Sequence, residues 1–156
     1  MRLLAVTVVA FALLTPSAHA LGIGIGTPPG GLSPFRPGAT ATATGTMVIT
    51  LATSSWTLTV ADGTSGTTNP GHLKRGATCT SGVTYLAQPL TIEAAPLIGS
   101  ATPSPARSLS GTAQTLATGP ATATATITTN FSQVIGSSEV LQQACIYGAT
   151  VTFTLT

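Results

Sequence analysis

The sequence predicts an all-β chain folded as an antiparallel β-sandwich, and three observations carry that reading. Beyond residue 45, apolar residues recur with a period of two, the spacing of a strand that buries one face. Clusters such as "ADGTSGTTNPGH" and "GSATPSPARSLSG" separate these runs and are rich in residues that favour turns. The strand-helix-strand alternation that a parallel sheet requires does not occur.

In chain order, residues 1–20, "MRLLAVTVVAFALLTPSAHA", carry Arg2, an apolar run from Leu3 to Leu14, and Ala18-His19-Ala20. This is the pattern of a secretory signal peptide cleaved before Leu21. The run is shorter than the ~20 apolar residues a bilayer span needs, so no membrane span is expected after cleavage. Taking 20 from 156 leaves 136 residues, enough for one domain that buries roughly two thirds of its unfolded surface.

Residues 21–45 read as an extended lead-in. "LGIGIG" is either an edge strand or a flexible start, and "TPPGGLSPFRPGATATATG" has four prolines and little to bury,. The sandwich domain is expected over 46–156. Met47, Ile49 and Leu51 alternate with polar residues, as do Trp56, Leu58 and Val60, with β-formers on both faces. In "VTYLAQPLTIEA", Val83, Tyr85 and Ala87 share one parity and Leu90, Ile92 and Ala94 the other. Pro89 stands at the switch and has no N–H to donate, so a bulge or a change of sheet is expected there.

"TAQTLATG" reads as a short strand or turn. "ATATATITTNF" directs Ala121, Ala123, Ala125, Ile127 and Phe131 inward, and "SQVIGSSEVLQQA" is the one segment able to make a helical turn. In the closing "CIYGATVTFTLT", Cys145, Tyr147, Ala149, Val151, Phe153 and Leu155 share a face opposite a row of threonines. Six to seven strands or more result, in a sandwich that is immunoglobulin-like or related.

Charge and composition exclude several functions. After cleavage Arg36, Lys74, Arg75 and Arg107 stand against Asp62, Glu93 and Glu139, so four minus three gives +1. Nucleic-acid binding needs many phosphate contacts, and a basic membrane-surface helix needs a cationic face; neither is present. Two cysteines in an exported chain favour a Cys79–Cys145 disulfide. It would close a loop of about 67 residues and contribute roughly 4 kcal/mol in the chain-entropy account,. Two Cys and one His match no metal-site spacing, so neither a metal nor another cofactor is expected.

Candidates for catalysis are equally few. His72 is the one histidine of the processed chain, the three carboxylates are far apart, and no serine lies in a G-x-S-x-G elbow,. "GIGIG" precedes proline rather than a helix, unlike a dinucleotide loop,. "NFS" at 130–132 has the form of a glycosylation acceptor but lies on an alternating strand. A non-enzymatic protein is expected. Trp56 and Phe153 either fill the core, beside the disulfide, or stand exposed to stack on a sugar ring among neutral Thr, Ser and Asn side chains.

Trp56-Thr57-Leu58 forms a W-x-L triplet, and about ninety residues later Tyr147-Gly148-Ala149-Thr150-Val151-Thr152-Phe153-Thr154-Leu155 follows the form Y-x-x-x-L-T-W-x-L. The ordered pair, behind a signal peptide and with "LSGTAQTLATG" ahead of the final strands, resembles the WxL surface domain of Gram-positive bacteria across residues 45–156. Val151 stands where that pattern has Leu and Phe153 where it has its second Trp. The resemblance implies an all-β domain held non-covalently on the cell wall through peptidoglycan or another wall glycan, with other surface proteins as further partners. Trp56, Leu58, Tyr147 and Phe153 are then the candidate binding residues. The alternative from another class is a structural subunit, pilin-like or coat-forming, that polymerises by strand pairing.

Overall fold

The computed structural model describes residues 7–10, 21–64 and 68–156, with only the backbone given for 7–10 and for Leu51. Arg2, Ala18-His19-Ala20 and most of the Leu3–Leu14 run lie outside the described residues, as do positions 65–67 of the turn-rich loop and the inward placement of Leu51.

The protein is all-β, without a helix among the described residues. Its strands are β1 (Thr7–Ala10), β2 (Gly22–Thr27), β3 (Thr40–Ala52), β4 (Trp56–Asp62), β5 (His72–Arg75), β6 (Tyr85–Pro89) and β7 (Thr91–Ile98). They continue as β8 (Thr102–Pro103), β9 (Arg107–Ser108), β10 (Gln114–Gly119), β11 (Thr122–Val134), β12 (Tyr147–Gly148) and β13 (Thr150–Leu155). One five-stranded sheet runs β1-β13-β4-β10-β8, a second runs β2-β3-β11-β7-β9, and β12-β5-β6 form a third. Every pairing is antiparallel except β1 with β13.

β3 and β11 are the longest strands because their alternation is the least interrupted. They pair from Thr40↔Val134 to Ala52↔Thr122. Met47, Ile49, Ala125, Ile127 and Phe131 point into the core, while Thr128 lies opposite Thr46 and Ser132 opposite Thr42 on the outer face. Ala121 and Ala123, expected inside, are exposed; inward alternation begins only at Ala125. Thr129 and Gln133 continue it to the far end of the strand. Gln133 offsets its burial by donating Nε2 to the carbonyls of Gln88 (2.9 Å) and Val134 (2.8 Å),.

The two motif strands are neighbours. β4 pairs with β13, setting Val60 opposite Phe153 and Leu58 opposite Leu155. On its other side β4 pairs with β10, where Gly119 lies opposite Trp56. The indole covers that glycine so closely that any side chain there would meet it, as expected when an aromatic shields a strand glycine. One core joins both five-stranded sheets, with Leu73, Leu86 and Tyr147 added from the third.

At Pro89 the chain does change sheet: β6 belongs to the three-stranded sheet and β7 to a five-stranded one. Leu90, Ile92 and Ala94 are buried as their parity predicts. Before the switch the parity differs from the expectation. Leu86 is the buried residue, Val83 and Tyr85 are half-buried, and Ala87 is exposed. The branched aliphatic chain takes the dry side, while Tyr85 lies at the rim with Lys74 Nζ 5.8 Å from its ring centre,.

The proposed helical turn is absent. Ser132–Val134 complete β11, and the following loop is tied down by Glu139, which accepts Ala87 N–H at 2.6 Å and Gly136 N–H. The lead-in is part of the sheet system, since β2 pairs with β3 and Leu32 is 6% exposed. Cys79 and Cys145 form a disulfide, with Cα atoms 5.9 Å apart. No helix among the described residues is long and apolar enough to cross a membrane.

Candidate functional site

A cleft of about 660 Å³ opens between the loop that joins β2 to β3 and the segment leading into β12. The first wall carries Leu32, Phe35 and Arg36. It is held by a two-way backbone bridge between Ser33 and Thr42, at 3.1 and 3.0 Å. Gly38, at φ +75, then donates its N–H to Ile135 O at 3.0 Å. Proline-fixed backbone on either side of Phe35 and Arg36 limits their freedom.

The second wall runs from Leu141 to Tyr147. Cys145 N–H donates to Gln142 O at 3.2 Å to close a turn, and within it Ala144 adopts φ 64, a left-handed conformation uncommon for a residue with a Cβ. The disulfide from Cys145 to Cys79 ties this wall to the middle of the chain. Gln142 also accepts Ser81 N–H through Oε1 at 2.8 Å, leaving its amide N–H₂ group as a donor,.

Tyr147 forms the floor. Only 1% exposed, its ring sits 5.7 Å from that of Phe35 at a 35° tilt, and its hydroxyl donates to Val83 O at 3.1 Å. Arg36 is the one charged side chain among the lining residues and is exposed. Ile146, 47% exposed, supplies an apolar lip. Such a surface suits a ligand with an apolar face for Phe35 and Ile146, neutral polar groups for Gln142 and Gln143, and one anionic group for Arg36.

Of the residues expected to bind, the structure brings Tyr147 alone to this cleft. Trp56, Leu58 and Phe153 lie in the core at 2, 0 and 2% exposure; their side chains shape the sandwich and do not reach its surface. Phe35 and Arg36 escaped the sequence reading because they belong to a proline-rich stretch far along the chain from Tyr147. The available signal was Phe35 itself, an aromatic residue in a segment with no other reason to carry one.

The remaining polar candidates have structural partners. Asp62 accepts the N–H groups of Thr64 (2.8 Å) and Gly71 (2.6 Å), closing its loop. His72 Nδ1 lies 2.6 Å from Leu86 O. Asn130 accepts Thr44 Oγ1–H at 3.2 Å in mid-sheet. Among the described residues no three of His, Cys, Asp and Glu converge as a metal site would require. No protein-family model, no curated protein and no solved structure matches this chain.

Proposed function

We propose that this is an exported, non-enzymatic surface protein that holds non-covalently to a cell-wall glycan, with peptidoglycan as the leading ligand. The observation that carries the reading is the cleft that brings the tilted Phe35–Tyr147 ring pair and Arg36 into one lining. Peptidoglycan offers both features this surface suits: sugar rings with apolar faces, and carboxylates on its peptides. The paired W-x-L and Y-x-x-x-V-T-F-x-L segments, on adjoining strands β4 and β13, support the same reading through their likeness to the WxL surface domain. In this account Trp56, Leu58 and Phe153 hold the scaffold, and Tyr147 joins it to the site.

Retention on purified, insoluble peptidoglycan tests the proposal. The oxidised protein is retained, and Arg36→Gln weakens retention about tenfold, the worth of one charge-assisted hydrogen bond. Because Arg36 is exposed, its thermal midpoint stays that of the wild type. Retention no greater than that of an unrelated β-sandwich, or unchanged in Arg36→Gln, refutes this site.

A further inference from the structure

The sheet edges of this protein are unequal. β8 has two residues and ends on Pro103, β9 has two and includes Arg107, β12 has two, and β6 ends on Pro89. β2 alternates glycine along its length and runs into Pro28-Pro29. Shortness, charge and proline all prevent a sheet edge from recruiting another strand. β13 has none of them: six residues, "TVTFTL", uncharged, without proline and in unbroken register with β4.

The outer neighbour of β13 is β1, paired in parallel from Thr7↔Thr150 to Ala10↔Phe153. β1 belongs to the segment that reads as a signal peptide, and its removal bares the edge. The groups left open follow from the ladder on the inner side. Thr57 and Thr156 exchange both backbone hydrogen bonds, at 2.7 and 3.0 Å, and Gly63 N–H donates to Thr150 O at 2.9 Å. Since bonded and non-bonded pairs alternate in an antiparallel ladder, Thr150, Thr152 and Thr154 direct their N–H and C=O groups to β4. Val151, Phe153 and Leu155 direct theirs outward, where each needs a partner.

We propose that the processed protein closes this edge with β13 of a second copy, antiparallel across a twofold axis, joining two sheets into one. The second copy is the occupant that this strand's chemistry selects. An uncharged strand meets itself without like-charge repulsion, and threonine sits beside threonine on the solvent face, a favourable cross-strand pair. Nothing has to leave its place, and the antiparallel ladder is the more stable kind. An isologous contact also saturates at two copies. The inference rests on the export part of the proposed function, through the removal of β1, and not on the glycan reading, and its test has no glycan in it.

The experiment uses protein secreted by an expression host, with mass spectrometry to find its first residue. Sedimentation velocity from about 1 to about 100 µM should show a monomer–dimer equilibrium. In the dimer, hydrogen exchange at the amides of Val151, Phe153 and Leu155 should slow. Thr152→Lys and Thr154→Lys set like charges near each other across the axis without entering the core. Each should raise the dimer dissociation constant at least about tenfold, with the thermal midpoint at low concentration unchanged. A monomer throughout, a dimer indifferent to both lysines, an open ladder of larger species, or secreted protein that retains residues 7–10 each overturns the proposal.

Discussion

Gly119→Ala is expected to destabilise this protein, against the general rule for its residue type. At an unconstrained strand position, replacing glycine by alanine stabilises by roughly 0.5–1 kcal/mol, because the unfolded chain loses freedom. At residue 119 the added methyl would overlap Cζ2 and Cε2 of Trp56 and lie 2.8 Å from its Nε1. The indole is 2% exposed inside a close-packed core, so it cannot swing aside without displacing neighbours. Overpacking of this kind costs about 1–3 kcal/mol, and a loss near 2 kcal/mol lowers the thermal midpoint of a domain this size by roughly 5–10 °C. Urea unfolding followed by far-UV circular dichroism, which reads variants with and without the chain's one tryptophan alike, measures it, and the cause is isolated by a double-mutant cycle. Trp56→Phe replaces the indole with a smaller ring and removes a buried Nε1–H that has no hydrogen-bond partner. In that background Gly119→Ala should cost less than about 0.5 kcal/mol, a coupling of at least about 1 kcal/mol. If Gly119→Ala is neutral in the parent, or costs the same in both backgrounds, the packing account of this pair is wrong.

Two further outcomes concern the parts that frame the cleft. Reducing the Cys79–Cys145 bond, whose cysteines are 66 residues apart, should lower stability by about 4 kcal/mol in the chain-entropy account. Urea midpoints with and without reductant check this, and a change below about 1 kcal/mol contradicts it. Glu139→Ala strips the acceptors from Ala87 N–H and Gly136 N–H and should cost about 2–4 kcal/mol, two charge-assisted bonds in a half-dry site. Equal denaturation curves for Glu139→Ala and wild type would show that loop to be held by other means.

What could be read from the sequence was what alternation encodes. Met47 and Ile49 on β3, Trp56, Leu58 and Val60 on β4, and Val151 and Phe153 on β13 are all buried, because each strand has one wet and one dry face. Pro89 marked a change of sheet because a missing N–H takes one bond from a ladder at a position the sequence names. Parity failed at Tyr85 and Leu86, where two adjacent residues both have reason to be buried and only the opposing surface decides between them. Alternation also overreached at Ala121 and Ala123, since small residues carry too little apolar area to require burial. The cleft was the least visible part. Its walls come from Phe35 and Tyr147, and no local pattern records that a proline-rich loop will lie against the turn before β12.

The pairing of β3 with β11 governs the order in which this chain assembles. Thr40–Ala52 meets Thr122–Val134, and Trp56 meets Gly119, so β3 and β4 wait for strands that come far later in the chain. Contacts this remote in sequence incur loop closure before any reward, which places folding on the millisecond-to-second scale of β-sandwiches. A chain with partners so far apart becomes a sandwich only once its two ends are both at hand.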